Sequence, residues 1–518
     1  MDFPLSSRVV PFAIVSTLLT CPLWADVKLP AVISDNMVLQ QESKANVWGW
    51  ADAGEKVAVQ FANRNMQTVA GPDGRWNVKL ADLKAGIIGD LTIAANNSIT
   101  VKNVAVGEVW VCSGQSNMEF QVSGGKNAAE EKAAANFPLI RVFTVQKAAK
   151  NEPQTDCVGK WEVCTPETVF GFTAVGYFFG RKLHEDMKIP VGLIHTSWGG
   201  TPAEYWTPKE IIEAEPDFKS LAESWEQLKA AYPKAKEDYE KALAEWKDAA
   251  ALAKANGTAA PKRPAEPKGG NAFGGPGCLY NGMIAPIEPY TIQGATWYQG
   301  ESNASRARQY RKLFPTMIQC WRQHWGVEFP FLFVQLANYN ARGVEQTGQP
   351  EESQWAELRE AQLMTLELPH TGMAVAIDVG EGGDIHPKNK QEVGRRLALS
   401  AEASVYYREV AYSGPLLAGS QQEEGKIRLS FSNAEGMKAS DGGKLKGFAI
   451  AGEDKRFVWA DVTIEGDHIV VSSPEIANPV AVRYGWADNP ECNLVNAASL
   501  PASPFRTDAW PQAAPARK

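Results

Sequence analysis

The spacing of apolar and polar residues divides the 518-residue chain into three regions. Residues 26–103 contain short alternating segments separated by turn signals, which predicts a small β-sandwich. In residues 104–405, apolar runs alternate with segments of helical periodicity, which predicts a parallel sheet covered by helices on both faces. Residues 406–518 return to strand-like segments, and we expect a second β domain that packs against the first or stands beside the α/β region.

The α/β region contains the segments from which a site can form. Its predicted strands are Val104–Cys112, Val191–Thr196, Ile292–Tyr298, Pro330–Leu336 and Met373–Val379. The helical segments between them include Ala174–Met187, Arg306–His324 and Glu357–Glu367. In such folds the site forms at the carboxyl ends of the strands. Polar or glycine-rich sequence follows four of the strands, at Ser113–Asn117, Ser197–Thr201, Gln299–Asn303 and Glu381–His386.

A helical insertion is predicted at residues 209–275, inside the α/β region. Apolar residues recur there at alternating steps of three and four, from Phe218 to Trp246, and form a stripe along one helix face. We interpret the stripe as a packing surface. Pro233 is expected to kink or divide the helix, and residues 254–276, rich in Ala, Pro, Lys and Gly, are expected to form a loop.

The net charge and the N-terminal segment indicate the expected partners and compartment of the protein. The net charge of −8 argues against a nucleic acid or an anionic membrane as partner, and no segment is predicted to cross a membrane. Residues 1–25 are predicted to be a secretion signal, because Arg8 precedes an apolar stretch at 9–19 and Ala25 fits a cleavage position. We therefore expect an exported protein, periplasmic or extracellular.

Whether the cysteines form disulfides depends on the compartment that the protein reaches. Six follow residue 25, and some are expected to pair in an oxidising environment. Cys157 and Cys164 are the nearest two in sequence and are the candidates for a small disulfide loop, while the connectivity as a whole stays open. No Cys-x-x-Cys zinc pattern is present.

A serine-containing turn follows the first strand of the α/β region, in the sequence Cys-Ser-Gly-Gln-Ser-Asn at 112–117. A serine just past a strand end exposes its hydroxyl at the carboxyl edge of the sheet, close to backbone N–H groups that stabilise an oxyanion. This placement is what a serine esterase needs. Taken alone, such a turn is more often an ordinary surface turn, so its meaning depends on the rest of the chain.

A serine nucleophile needs a base, and the chain offers six histidines. His184 and His324 lie in helical segments, and His195 lies inside an apolar strand, where we expect a buried, hydrogen-bonded side chain. His386 lies in Gly-Glu-Gly-Gly-Asp-Ile-His-Pro, between a predicted strand and a predicted helix, with carboxylates close enough to orient the imidazole. This segment by itself is equally compatible with a helix start that has Asp384 near its N-cap.

Two further segments supply donors for a tetrahedral intermediate. Ser197–Thr201 offers glycine N–H groups, and Gln299–Asn303 offers amide side chains. Together with the serine and histidine segments, and in this order, they resemble the sialate O-acetylesterase family of SGNH hydrolases. The resemblance extends to residues 37–41 and 278–283 and covers most of the chain after residue 25.

The resemblance implies a flavodoxin-like, three-layer hydrolase domain with accessory β domains. It also implies removal of acetyl groups from sugar hydroxyls without metal or organic cofactor, so the expected partner is an O-acetylated carbohydrate. By the same resemblance Ser116 is the nucleophile and His386 the general base and acid. The N–H groups of Ser116 and of Gly199 or Gly200 then form part of the oxyanion hole.

Two roles stay open at this point. Gln299 and Asn303 are both candidates for the amide donor, and Gln299 is favoured because it lies at the strand end. Asp384 is the candidate that orients the imidazole, but it stands two residues before His386, whereas the common SGNH spacing is three. Glu381 or a backbone carbonyl is the alternative.

The chain has 17 tryptophans, and some are expected to line a sugar-binding cleft. Trp198, Trp206 and Trp297 lie near the predicted site in sequence and are the candidates for stacking on the sugar. Glu204 is a further candidate for substrate binding.

Three rival interpretations remain. The first is a deacetylase of plant or algal polysaccharide, because motifs at the acetyl group do not report on the sugar. The second is a carbohydrate-binding protein on a non-catalytic scaffold, which the intact Ser116 and His386 disfavour. The third is a metal hydrolase that uses Asp378, Glu381, Asp384 and His386, which would leave the serine motif unexplained.

Overall fold

The computed structural model describes residues 26–265, 267, 274–343 and 352–510. The predicted signal at residues 1–25 lies outside the described residues. The strands are β1 (Val38–Gln40), β2 (Lys44–Trp50), β3 (Lys56–Phe61), β4 (Arg64–Val69), β5 (Arg75–Ala81), β6 (Ile88–Ala94), β7 (Ser98–Gly114), β8 (Phe137–Thr144), β9 (Trp161–Cys164), β10 (Val191–Ser197), β11 (Gly294–Tyr298), β12 (Phe331–Gln335), β13 (Thr371–Val375), β14 (Leu416–Glu423), β15 (Lys426–Ser432), β16 (Lys438–Ala439), β17 (Phe448–Ala451), β18 (Phe457–Trp459), β19 (Asp461–Glu465), β20 (His468–Ser472), β21 (Ala481–Tyr484), β22 (Leu494–Val495) and β23 (Phe505–Arg506).

The α-helices are α1 (Ser116–Glu119), α2 (Ala128–Ala134), α3 (Ala174–Met187), α4 (Lys209–Ala214), α5 (Lys219–Ala255), α6 (Ala307–Trp325), α7 (Gln354–Met364) and α8 (Lys390–Ser404). Short 3₁₀ turns lie at Val122–Gly124, Val169–Gly171, Ala203–Trp206, Pro216–Phe218, Ala285–Ile287, Glu301–Arg306 and Thr365–Glu367, and a π turn lies at Tyr280–Ile284.

A mostly parallel sheet forms the centre of the molecule, in the order β13-β12-β11-β7-β10-β8-β9. All neighbours in this order run parallel except β9, which is antiparallel to β8. This confirms the predicted parallel sheet and each of its five predicted strands. The prediction did not include β8, because the buried Arg141 interrupts its apolar run. The Arg141 guanidinium donates to main-chain carbonyls, which include that of Met37 at 3.2 Å.

Strand β7 joins the first β region to the α/β region. Its first part pairs antiparallel with β6, and its last part lies between β10 and β11 in the central sheet. It runs without a break through the domain boundary predicted at residue 103. One cluster of buried apolar side chains extends from Val27 to Ala401, so the first β region buries its apolar residues against the α/β region.

The helices of the α/β region form two contacting pairs, α3 with α8 and α6 with α7. Helix α3 has the bounds that the sequence predicts, and both of its ends are capped. The Thr173 side chain accepts a hydrogen bond from Gly176 N at 3.3 Å, and Lys188 takes the left-handed conformation that ends a helix.

The insertion contains α4 and the 37-residue helix α5. Helix α5 continues through Pro233 as one element. The sequence predicted a kink or a division at this proline, and the division does not occur. Its apolar stripe is mostly half-buried. The chain that follows α5 returns beside this stripe, where the Trp246 indole N–H donates to the Pro261 carbonyl at 2.7 Å.

The C-terminal β region has its own core and stands beside the α/β region. It contains the antiparallel sheets β14-β15-β20-β19 and β18-β17-β21-β23 and the pair β16-β22. Helix α7 contacts this C-terminal region through Arg359. The buried Arg359 guanidinium donates to the carbonyls of Ala487 at 2.7 Å and Asp488 at 2.9 Å.

Two expectations about the chain as a whole were tested. Among the described residues, no helix combines the length and the apolarity that crossing a membrane requires. The six cysteines of the described chain are all unpaired, so the small disulfide loop between Cys157 and Cys164 is not formed.

Candidate active site

The turn after β7 presents Ser116 at the carboxyl edge of the central sheet. Gly114 ends the strand with φ 139°, and a Cβ atom there would lie 2.2 Å from the Tyr298 carbonyl oxygen, so only glycine fits. The Gln115 N–H donates to the same carbonyl at 3.0 Å. Helix α1 then begins at Ser116, which fixes the serine at the sharpest part of the turn.

The Ser116 hydroxyl and the His386 imidazole form a hydrogen bond. Ser116 Oγ lies 2.8 Å from His386 Nε2, although the two residues are 270 positions apart in the chain. Both side chains remain partly accessible, with 39% of the His386 side chain exposed. The geometry is that of a nucleophile and the base that takes its proton.

Asn117 ties the serine turn to the histidine loop. Its amide Nδ2 donates to the Ile385 carbonyl at 2.9 Å and to Glu301 Oε1 at 2.5 Å, and its Oδ1 accepts from Lys390 Nζ. The residue after the nucleophile thus binds the carbonyl just before the base. This contact sets the separation between the two loops.

Lys390 is a buried cation behind the histidine. It has no exposed surface, and its ammonium lies 4.9 Å from the Phe120 ring centre and 5.2 Å from that of Tyr298. Burial lowers the pKa of Lys390 to about 7. Burial and then the Lys390 charge lower the pKa of His386, while the Asp384 charge acts in the opposite direction.

Asp384 does not bind the imidazole ring in this structure. Its Oδ1 lies 4.0 Å from His386 Nδ1, beyond hydrogen-bond distance, and instead accepts the His386 backbone N–H at 2.9 Å. Glu381, the alternative, accepts the Lys388 N–H at 2.9 Å. Both carboxylates therefore shape the loop, and the triad contact predicted for Asp384 is not formed.

The carboxylates that the metal-hydrolase interpretation groups together each bind a different partner in the protein. Asp378 forms a two-pronged ion pair with Arg396, at 2.6 and 2.7 Å. Within the residues that the structure describes, no group of three or more His, Cys, Asp and Glu side chains is placed to hold a metal ion.

The Ser197–Thr201 loop lies against the nucleophile. A Cβ atom on Gly199 would lie 3.2 Å from Ser116 Cβ. The Gly199 N–H donates to Glu119 Oε2 at 2.6 Å, and the same carboxylate pairs with Lys147. Among the described residues, the N–H groups of Ser116 and Gly200 have no acceptor, so these two are available to a ligand.

The amide side chains predicted as oxyanion donors are buried and already bonded. Gln299 Nε2 donates to Asn303 Oδ1 at 2.6 Å and to the Thr201 carbonyl at 3.3 Å, and its Oε1 accepts from the Tyr310 hydroxyl at 2.9 Å. Asn303 Nδ2 donates to Glu204 Oε2 at 3.0 Å. These internal bonds use both N–H groups of Gln299 and one of the two N–H groups of Asn303, so the structure does not support the predicted donor role of Gln299.

Most of the predicted sugar contacts lie in the core. Trp206 and Trp297 are fully buried and pack edge to face with ring centres 5.9 Å apart, so neither offers a face to a sugar. Strand β11, which contains Trp297, is buried along its whole length, as expected of a central parallel strand. Glu204 is buried and pairs with Arg306 at 2.6 Å. Trp198 alone stays half-buried beside the serine turn.

The other three histidines that the sequence analysis considered lie within a strand or a helix. His195 is buried in β10 as predicted, its Nε2 lies 2.5 Å from Ser197 Oγ, and burial lowers its pKa to about 4. His184 and His324 lie in α3 and α6.

Sequence reasoning missed Asn117, Lys390, Glu119 and Gln115. Gln115 Oε1 accepts the N–H groups of Gly300 and Ser302, at 3.5 and 3.2 Å. Asn117 and Gln115 flank the nucleophile within its motif, and that position was the available signal. The lysine at position 390 opens a helix in a polar sequence, where nothing distinguishes it from a surface lysine.

The chain is similar to known proteins over most of its length. A family profile described as "Carbohydrate esterase, sialic acid-specific acetylesterase" matches residues 106–252 and 268–402, more than half of the chain. The sialate O-acetylesterase of Rattus norvegicus is 30% identical over 92% of this chain and 94% of its own length. That of Homo sapiens is 28% identical over 96% and 97%.

A solved structure is similar over nearly the whole chain. The crystal structure of a novel carbohydrate acetylesterase from Xanthomonas citri is 36% identical, with a TM-score of 0.79, and the match covers 94% of this chain and all of that one. The chain therefore belongs to the sialic acid-specific acetylesterase family of carbohydrate esterases and is a carboxylic ester hydrolase.

Proposed function

We propose that this protein removes O-acetyl groups from sugars, with O-acetylated sialic acid as its preferred substrate, through an acetyl-enzyme on Ser116. The observation that carries the proposal is the 2.8 Å contact between Ser116 Oγ and His386 Nε2 at the carboxyl edge of the sheet. The named activity of the mammalian relatives supports the choice of sugar.

Acylation begins when His386 Nε2 takes the proton of the Ser116 hydroxyl. The serine oxygen attacks the acetyl carbonyl carbon, and the electron pair of the C=O bond moves to the carbonyl oxygen. When this oxyanion collapses, the bond to the sugar oxygen breaks, and the leaving alkoxide takes the proton from His386.

Deacylation repeats these steps with water. His386 takes a proton from a water molecule, and the hydroxide attacks the acetyl carbon on Ser116. The intermediate then collapses to acetic acid, which ionises to acetate in solvent, and the serine oxygen takes its proton back from His386. The partial exposure of Ser116 and His386 supports this step, since water reaches both groups.

The Ser116 and Gly200 N–H groups are the first candidates to hold the oxyanion, because neither has an acceptor among the described residues. The Gly199 N–H takes part only if it leaves the Glu119 carboxylate.

We also propose for residues 104–405 the flavodoxin-like, three-layer arrangement of SGNH hydrolases. The order of the parallel strands and the two contacting helix pairs, α3 with α8 and α6 with α7, support it.

Acetate release by the full-length protein and by Ser116→Ala tests the proposal. The substrates are O-acetylated sialosides, acetylated xylan and p-nitrophenyl acetate, and Ser123→Ala is the matched control because Ser123 is exposed and close in sequence. We expect the Ser116 variant to lose at least about 10⁴-fold in kcat/KM and the control to keep its activity. Full activity in Ser116→Ala would refute the mechanism, and a higher kcat/KM on xylan than on any sialoside would refute the choice of sugar.

A further inference from the structure

A large cleft lies between the β2–β5 pair of the first β region and the α/β region. It consists of two cavities of about 960 and 560 Å³ that share Asn46, Asn77, Glu288 and Pro289 in their walls. Neither cavity contains a residue of the serine and histidine loops. The mechanism on Ser116 leaves this cleft without a role.

The cleft lies at the amino edge of the central sheet, opposite the nucleophile. Glu108 lines the larger cavity and pairs with Val191 at the start of β10. Ser116 follows the other end of β7, and the six steps from Glu108 to Gly114 span about 20 Å at the rise of a β-strand. A ligand in the cleft therefore does not contact the reacting atoms.

One wall of the cleft is a face of the β2–β5 ribbon on which indole and polar side chains stand next to each other. The antiparallel register places Trp48 opposite Asn77 and Trp50 opposite Arg75. These four side chains line the smaller cavity, and Trp50 is the more accessible of the two tryptophans. Sugars are bound by this combination, because C–H faces pack on aromatic rings while hydroxyls bond to nearby polar groups.

The opposite wall adds fixed polar groups. Glu288 lines both cavities, and its Oε1 accepts a hydrogen bond from the Tyr280 hydroxyl at 2.6 Å. The same hydroxyl lies 2.8 Å from His324 Nδ1, and His324 lines the larger cavity. Burial raises the pKa of Glu288 to about 7, so near neutral pH this carboxyl both donates and accepts hydrogen bonds.

The charges around the cleft point to a neutral ligand. Lys44, Lys79 and Arg75 stand on the ribbon, while the acidic side chains of Glu42, Glu108 and Glu328 also line the larger cavity. Because the two signs are both present, the cleft has no strong preference for a polyanion or a polycation. Nucleic acid and strongly charged peptides are disfavoured on this ground.

We infer that this cleft is a second carbohydrate-binding site, which holds a neutral stretch of an oligosaccharide about 20 Å or more from Ser116. The inference rests on the proposed function for its biological use: a glycan anchored in the cleft keeps the acetylated sugars of the same molecule at a high local concentration around the active site.

Oligosaccharide binding by the full-length Ser116→Ala protein tests the site without catalysis. Tryptophan fluorescence and calorimetry are recorded with xylohexaose, mannohexaose and sialyllactose. We expect xylohexaose or mannohexaose to bind with a Kd of about 10⁻⁴–10⁻³ M, sialyllactose to bind more weakly because of its carboxylate, and Trp50→Ala to weaken the binding of the neutral ligand at least tenfold. Trp459→Ala is the matched control, because Trp459 is an exposed tryptophan of the C-terminal region. Asn77→Ala is the second variant, since Asn77 is exposed on the ribbon and its loss leaves the core intact.

Kinetics in the protein with its serine intact complete the test. We expect Trp50→Ala to raise KM on acetylated xylan several-fold and to leave kcat/KM on p-nitrophenyl acetate unchanged, because the small ester does not reach the cleft. The inference would be overturned if neither xylohexaose nor mannohexaose bound at about 10 mM. It would also be overturned if adding Trp50→Ala or Asn77→Ala left the affinity of the Ser116→Ala protein unchanged. Failure to cleave p-nitrophenyl acetate would refute the proposed function alone, because the binding measurements do not depend on it.

Discussion

The turns after β7 and β11 belong to neighbouring strands at the carboxyl edge of the central sheet, yet their polar side chains have different surroundings. After β7, the Ser116 hydroxyl stays partly accessible and its contact is the His386 ring. After β11, Gln299 and Asn303 are buried and bonded to each other.

The difference follows from the cost of burying polar groups. A buried amide needs hydrogen-bond partners, so the segment after β11 has acquired Tyr310 and Glu204 around Gln299 and Asn303. A reacting group must instead keep a free site for substrate. Two motifs at the same sheet edge therefore differ in role, with one suited to chemistry and the other to support, and variants can separate the two.

His386→Gln has the largest expected effect on activity. Glutamine cannot take the Ser116 proton, so we expect a loss of at least about 10⁴-fold in kcat/KM on p-nitrophenyl acetate, with an unchanged unfolding midpoint. His468→Gln, on the far C-terminal sheet, is the control and should retain full activity. Activity within tenfold of the parent would remove His386 from the mechanism.

Asn303→Leu tests the other segment. It removes the acceptor of one buried Gln299 N–H group and the donor to Glu204 Oε2, so we expect a loss of about 2–4 kcal/mol in the free energy of unfolding, measured in urea. The kcat of the folded protein should fall by less than about tenfold. An oxyanion donor would behave in the opposite way, with normal stability and a loss of about 10²–10³-fold in kcat. Asn65→Leu, on the exposed strand β4, is the control.

The sequence was sufficient for the elements whose signals are local. Helix α3 was predicted with both its bounds from the helical character of residues 174–187. The His386 loop was found because glycines and carboxylates surround one of six histidines between a strand and a helix. In both cases the deciding residues lie within a few positions of each other.

Features that depend on distant partners were not predictable in this way. Whether Gln299 faces the substrate depends on Tyr310, which belongs to helix α6. Lys390 looks like a surface residue until Phe120 and Tyr298 cover it. The surroundings of the tryptophans also depend on distant partners. Trp206 and Trp297 lie near the catalytic motifs in sequence, but this proximity did not reveal that their rings pack on each other.

Lys390→Met tests how the buried cation acts on the base. His386 must be neutral to accept a proton, so kcat/KM rises with pH as His386 loses its proton, with a midpoint below the ordinary histidine pKa of about 6.5. Lys390, with a pKa of about 7, carries its charge in that range. Removing the charge raises the pKa of His386, so the acid limb of the pH profile should move to higher pH.

The profile is compared with that of Lys388→Met, an exposed lysine two positions earlier that pairs with Glu381. This control should leave the acid limb in place. Glu301 and Asp384 also face this group of residues and are unchanged in both variants. An acid limb that stays in place, or moves to lower pH, in Lys390→Met would contradict the assigned electrostatic effect.

Asp384→Asn has the smallest expected effect and decides the role of the third residue. The carboxylate lies 4.0 Å from the imidazole Nδ1, and both side chains are partly exposed, so its charge is worth at most about 1 kcal/mol, or roughly fivefold in rate. Asparagine keeps an oxygen that accepts the His386 backbone N–H, so the loop should hold its shape. Asp454→Asn, on the surface, serves as control for kcat/KM on p-nitrophenyl acetate. A loss near the roughly 10⁴-fold of a triad aspartate would mean that Asp384 binds the ring when substrate is present.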